Sequence, residues 1–405
     1  MLNSLFRKNY IFYGGSIAVS RGLEYVVLFF AARYLVKEDY GELEYYKKFV
    51  EVGSNILAFG FPALILSYTK SKDSKIYFYL LSILFVLSFG LVLSFIGLYS
   101  PIWFLLILSM VFYALFFSGG ITQSFQLVKL GSNYASIYKI IISILFYGGV
   151  FGFVYYSNVG GKAYLYPSLF LLPVAFLYAF YEINIERPQL FKIKRYWRLF
   201  RKLLISSFTL VVSNFANFMF LYTDVFVIKL LSKTANNEIA DFSFALNVAG
   251  MLLIISMTLV QVDIEELKSK SKTFFILNKK ITFSTVLMSI FLVPLYYFLI
   301  QSFYVNFNQT FILFLIILIG KIFSSMANLY GTYLIILKKF RLNLNVNLIF
   351  LVLNILVSWV AYLLFGLIGL AAASSVMLTF RCAVFYYYNK KYINHENGAL
   401  KPIKQ

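Results

Sequence analysis

The sequence predicts an all-α polytopic membrane protein, with twelve transmembrane helices in two lobes of six. Three observations carry this expectation. Hydrophobic residues make up 61% of the 405 positions and charged residues only 13%, where an ordinary soluble domain carries about 25% charged. Apolar runs longer than the roughly 18 residues that mark a membrane helix recur along the chain. Lys and Arg gather in every second connection between those runs. Mean hydropathy is +0.81. The alternating ten-residue strands of a transmembrane barrel are not in the pattern.

Taken in order, spans are expected at 10–34, 45–69, 76–98, 102–127, 136–157 and 163–181, then at 203–231, 240–262, 281–304, 310–337, 344–365 and 367–388. Arg7 and Lys8 precede the first span with no small-residue cleavage site after it, so it reads as a retained signal-anchor. The connections Tyr99-Ser100-Pro101 and Phe365-Gly366 are the shortest, and either could fuse two spans. Gly14, Gly15 and Gly22 in span one, Gly60-Phe61-Pro62 in span two and Pro294 in span nine are the places where helices bend or pack closely.

The basic residues set the orientation. Six fall on one side, Lys37, Lys47, Lys48, Lys162, Lys229 and Lys233, and four within or at the ends of spans, Arg21, Arg33, Lys321 and Arg381. All the others, Lys129 and Lys139 included, sort to the side of the N-terminus. The positive-inside rule then puts both termini in the cytoplasm. The net charge of +20 has its cause in this sorting, and nucleic acid is not expected as a partner. Residues 1–182 form the first lobe, 183–202 a basic cytoplasmic linker, 203–389 the second lobe and 390–405 a cytoplasmic tail. The linker mixes Phe191, Ile193, Trp197, Leu199 and Phe200 with its cations, which suits either an interfacial helix on an anionic leaflet or a plain positive-inside loop.

The halves look duplicated. Arg33-Tyr34-Leu35-Val36-Lys37 ends span one as Lys229-Leu230-Leu231-Ser232-Lys233 ends span seven, and a short acidic segment follows each. Gly160-Gly161-Lys162-Ala163 before span six parallels Gly366-Leu367-Ile368-Gly369-Leu370-Ala371 before span twelve. Six spans per half make the repeats parallel, an arrangement in which substrate binds between lobes that rock to alternate access.

The charges that break the sorting mark the candidate substrate cavity. A charge at the bilayer centre costs about 2.5–3.5 kcal/mol on insertion scales, so it faces a cavity or a partner. Arg21 lies roughly 16 Å into span one, with Glu24 three positions on and on the same face. Either they form an ion pair locking a helix contact or they face substrate. Lys321 lies equally deep in span ten, with Ser324, Ser325 and Asn328 on its face: either a polar stripe lining a wet cavity or a lysine that snorkels from a misplaced span. Asp224, late in span seven, either neutralises a cavity cation or binds a coupling cation. Asn214 and Asn217 share a face of span seven and contact sugar hydroxyls or bridge helices. Arg33 and Glu51 are expected to pair across the first connection, and Arg381 to snorkel from span twelve.

Enzymatic chemistry finds no support: no hydrolase, Walker or zincin spacing occurs. The single Cys382 excludes an internal disulfide and a cysteine metal site, and the single His395 lies in the polar tail. No cofactor is expected; coupling to Na+ or H+ stays open. The outer connections are too short for a polysaccharide polymerase or glycosyltransferase.

Ala32-Arg33-Tyr34-Leu35 followed by Glu38-Asp39-Tyr40-Gly41 resembles the start of the polysaccharide-specific transporters of the MOP superfamily, the O-antigen or Wzx-type flippases. Gly60-Phe61-Pro62-Ala63-Leu64, Asp224 and Gly366-x-x-Gly369-x-Ala371-Ala372 are similar to the same family, while Ala240-Asp241-Phe242 departs from its tyrosine–glycine pattern. The resemblance covers nearly the whole chain. It implies a MATE/MOP-like fold in a bacterial inner membrane. It also implies movement of an undecaprenyl-pyrophosphate-linked oligosaccharide from the inner to the outer leaflet, beside a polymerase and chain-length machinery. The alternative on the same fold is a cation-coupled multidrug exporter, which would favour acidic cavity residues.

Overall fold

The computed structural model describes residues 2–68, 72–97, 100–117, 119–186, 192–263, 266–267 and 271–399. Among the described residues, every apolar segment expected to span the membrane is built mainly of helix. The chain runs through α1 (Leu2–Tyr34), α2 (Lys37–Leu57), α3 (Phe61–Tyr68), α4 (Lys72–Gly97), α5 (Pro101–Leu115), α6 (Ile121–Lys129), α7 (Ser132–Tyr156) and α8 (Tyr166–Glu186). It continues through α9 (Ile193–Leu231), α10 (Ala235–Val262), α11 (Ser271–Ser302), α12 (Phe311–Ile336) and α13 (Phe340–Ala399). Short 3-10 turns at Gly160–Tyr164 and Val305–Thr310 precede α8 and α12.

Among the described residues nine helices are long and apolar enough to cross a membrane. The other expected spans differ in build. Span two is α2 and α3 end to end, broken at Phe59, whose φ of 44° leaves the helical region. Span four is likewise α5 and α6, and α5 opens with Pro101 in its first turn, where a missing N–H costs no helix bond. Spans eleven and twelve fuse in α13, which turns at Gly366 (φ 61°, ψ −145°), a conformation that a Cβ disfavours. Pro294 sits inside an unbroken α11. Broad outward faces such as Leu91, Val92 and Phe95 on α4, and Phe283, Leu287 and Ile290 on α11, are exposed apolar surface. Lipid is the solvent that such faces match, and the protein is a multi-pass membrane protein.

The chain divides into two compact units, Met1–Phe215 and Ala216–Gln405, with the division inside α9. In the first unit α1 packs on α7, α2 on α5, and α4 on α5. An aromatic core of Phe112, Tyr113, Phe117, Phe146, Tyr147 and Tyr164 joins α5, α7 and the first 3-10 turn. Gly161 in that turn approaches α2 so closely that a Cβ would lie 2.6 Å from Glu42 Cβ. The basic segment that follows α8 is the first part of α9. Tyr196 stacks on Tyr77 with ring centres 4.5 Å apart and Phe200 on Phe61 at 5.2 Å, while Lys194, Arg195, Trp197, Arg198, Arg201 and Lys202 face outward. Lys192 bonds Asp73 at 3.0 Å.

In the second unit α12 is central, packed against α10, α11 and α13. Its core includes Phe274, Leu277, Leu329, Tyr330, Tyr333 and Phe385. The pairing of α10 with α12 and α11 with α12 repeats that of α2 with α5 and α4 with α5. Hydrogen bonds from α13 to α9 give that pair the place that α7 and α1 hold in the first unit.

Candidate functional site

Glu24 is the centre of the polar cluster in the first unit. Arg21 Nη1 donates to its Oε2 at 2.7 Å, and Lys47 Nζ to its Oε1 at 2.6 Å. The side chains of Glu24 and Lys47 are buried, at 5% and 7% exposure, whereas Arg21 is 46% exposed. Three-residue spacing on α1 aligns Arg21 with Glu24, and α2 supplies Lys47 from the neighbouring helix. Lys139 of α7 is buried within electrostatic reach of Arg21 and Glu24. One turn further along α7, the Ser143 hydroxyl bonds that of Ser20 on α1 at 2.7 Å. Arg21, Lys47 and Lys139 therefore gather around Glu24, while Glu44 and Glu51 also act on Lys47 from its own helix. That arrangement holds Arg21 in a fixed pose and leaves excess positive charge to meet an anion.

Two of these cations are corrections to the sequence reading, which put Lys47 and Lys48 in an outer connection and Lys139 in a cytoplasmic one. Helix α2 begins at Lys37, eight residues before the expected span, and carries Lys47 and Lys48 inside. Lys48 is paired with Glu44 at 2.6 Å, both fully buried. The early start also separates Arg33 from Glu51. Arg33 is exposed at the end of α1, and Glu51 lies roughly 21 Å along α2 from its first residue, so the expected pair does not form.

The second unit holds two polar clusters at seven-residue spacing along the same helices. Asp224 of α9 accepts hydrogen bonds from Ser374 and from Ser358, the latter at 3.4 Å, both on α13. Lys321 of α12 and Asn354 line the same small cavity as Asp224 and Ser374. Two helical turns away, Arg381 donates to Asn217 and, at 2.8 Å, to Asn347. Its guanidinium lies 4.7 Å from the Phe220 ring centre and 5.4 Å from that of Phe385, a cation–π sandwich. Arg381 is buried and does not snorkel. Its Nε has no hydrogen-bond partner among the described residues.

Of the expected site residues, Arg21 and Glu24 pair in the first unit, and Asp224 and Lys321 line one cavity in the second. Asn217 is engaged by Arg381. Ser325 is fully buried and its hydroxyl has no partner among the described residues, while Asn328 is half-buried and accepts Thr332 through its backbone. Neither lines the Lys321 cavity, so only Lys321 of the polar stripe on α12, and not Ser325 or Asn328, reaches it. The Asn214 side chain lies outside the described residues. Lys47, Lys139, Asn354, Ser358 and Ser374 were missed. Seven-residue spacing of Asn347 with Asn354, and of Ser374 with Arg381, is the signal that would have flagged the second cluster.

The sequence model described as polysaccharide biosynthesis protein matches residues 6–264. The chain belongs to that family. In fold it is similar to members of the MOP superfamily. One is a multidrug resistance MATE family transporter in an inward-facing conformation, 12% identical with a TM-score of 0.63, covering 98% of this chain and 96% of the other. The lipid II flippase MurJ is 16% identical with a TM-score of 0.61, over 94% of this chain and 87% of the other. A MOP superfamily transporter from Pyrococcus furiosus, whose binding pocket has reversed polarity, is 10% identical with a TM-score of 0.53, over 96% of each chain. No curated protein sequence matches the chain. The all-α MATE/MOP-like fold expected from the sequence is the fold observed.

Proposed function

We propose that this polysaccharide biosynthesis family member is a flippase. It moves an undecaprenyl-pyrophosphate-linked oligosaccharide repeat unit, of an O-antigen or similar surface polysaccharide, from the inner to the outer leaflet of a bacterial inner membrane. Twelve crossings with both ends cytoplasmic complete this reading. The carrying observation is the excess positive charge around Glu24. A pyrophosphate headgroup crossing the bilayer loses its water, and Arg21, Lys47 and Lys139 offset that loss where an apolar interior would refuse it. Glu24 tempers the attraction, because a site that held the anion tightly would stall the cycle. No bond in the substrate is made or broken, so the protein acts as a transporter and passes the repeat unit to a polymerase and its chain-length machinery.

A multidrug exporter of the same fold is the second reading, favoured by the likeness to the MATE structure. Organic cations would meet a basic site in the first unit, which counts against it. A deletion strain separates the two. Accumulation of lipid-linked repeat units in the inner leaflet, with unchanged drug tolerance, supports the flippase; normal surface polysaccharide with drug hypersensitivity supports the exporter.

A further inference from the structure

Asp224 is surrounded by oxygen. Ser374 and Ser358 donate to its Oδ1, Ser358 also reaches Asn354 Oδ1 at 3.4 Å, and Asn354 Nδ2 in turn holds the Phe220 carbonyl at 3.3 Å. A buried carboxylate with two hydroxyls and an amide oxygen is the donor chemistry that suits a hard cation such as Na+. Two features favour such a site here. The cavity lies between α9, α12 and α13, and α13 reaches it from both sides of its turn at Gly366. A buried carboxylate also requires a compensating positive charge.

The cavity already contains that charge. Lys321 is buried, lines the same cavity as Asp224, and acts on it electrostatically. The space left over holds about one water molecule. With Asp224 and Lys321 both ionised the cavity is neutral. A Na+ ion added to it would stand beside an ammonium in a low-dielectric interior, with no further carboxylate among the lining residues. The oxygens fit a metal cation and the lysine does not.

We propose that Lys321 is the resident cation of the Asp224 site: a tethered ammonium takes the place that a monovalent cation from solution would otherwise fill. Because Lys321 is covalently held, its effective concentration at Asp224 exceeds any cytoplasmic Na+. The site is thereby closed to Na+, and the second unit is held together without it. This inference rests on the second unit alone and is independent of what the first unit carries.

The test is the thermal unfolding midpoint of the purified full-length chain in NaCl and in choline chloride at equal ionic strength. The wild-type midpoint is expected to be the same in both. Lys321→Met, which keeps the length and removes the charge, is expected to gain a saturable, Na+-specific rise of roughly 2–4 °C, and Lys321→Arg to stay indifferent. Asp224→Asn added to Lys321→Met is expected to abolish the gain. Saturable stabilisation of the wild type by Na+ overturns the proposal, as does a folded Lys321→Met that ignores Na+. Failure of Lys321→Met to fold in any salt also counts against it, since lysine would then serve packing rather than charge; recovery of its folding by NaCl alone counts for it.

Discussion

Glu24 shows how one carboxylate organises a membrane interior. It holds Arg21 from its own helix and Lys47 from the next, and removing either partner leaves the buried carboxylate with one cation in place of two. Lys47→Met is expected to destabilise the purified protein by about 2–4 kcal/mol, somewhat below the 3–5 kcal/mol typical of a broken buried pair because Arg21 still faces Glu24. Denaturation of the variant against wild type in the same detergent checks this, and an unchanged midpoint would show that Lys47 is solvated. The Arg21–Glu24 pair was legible from sequence because three-residue spacing on an apolar helix leaves few alternatives. Lys47 was not. Span finding starts where hydropathy rises, and the Glu42, Glu44, Lys47 and Lys48 segment reads as polar although Lys48 pairs with Glu44 one turn away and Lys47 with Glu24 on α1. Arg381 was misread for a related reason: its compensation comes from Asn217, Asn347 and two phenylalanine rings far away in the chain.

The helices themselves were legible almost completely, since long apolar runs in a bilayer have little choice but to close their own hydrogen bonds. What the runs concealed is how they are cut. Span two is cut after Leu57 and span four after Leu115. The reverse happens in α13, where two spans join through a single glycine. Gly366→Ala places a Cβ at φ 61° and ψ −145°, an essentially glycine-only region, and is expected to cost about 1–3 kcal/mol. Thermal melting of the variant measures it. A neutral result would mean that the α13 turn is not held in this conformation. The same turn brings Ser358 and Ser374 to one carboxylate, so the variant also perturbs the Asp224 site.

The molecule is built as two units with recurring helix pairings, each carrying a buried charge cluster of its own. The clusters differ in sign balance. The first unit gathers Arg21, Lys47 and Lys139 around Glu24 with Glu44 and Glu51 nearby, and the second places Lys321 in the cavity of Asp224. Sequence alone gave equal weight to Arg21 and Lys321 as cations that meet substrate; the structure separates an exposed arginine in a basic cluster from a buried lysine in a balanced one. The most direct test of the flippase reading uses vesicles containing the purified protein and an undecaprenyl-pyrophosphate-linked oligosaccharide. The outward appearance of sugar is followed with a lectin that cannot cross the bilayer. Wild-type protein is expected to expose the sugar at a rate that the folded double variant Arg21→Glu, Lys47→Glu lowers at least roughly tenfold, the equivalent of about 1.4 kcal/mol in the barrier. Equal rates for the two proteins, or no movement by the wild type, would contradict the account.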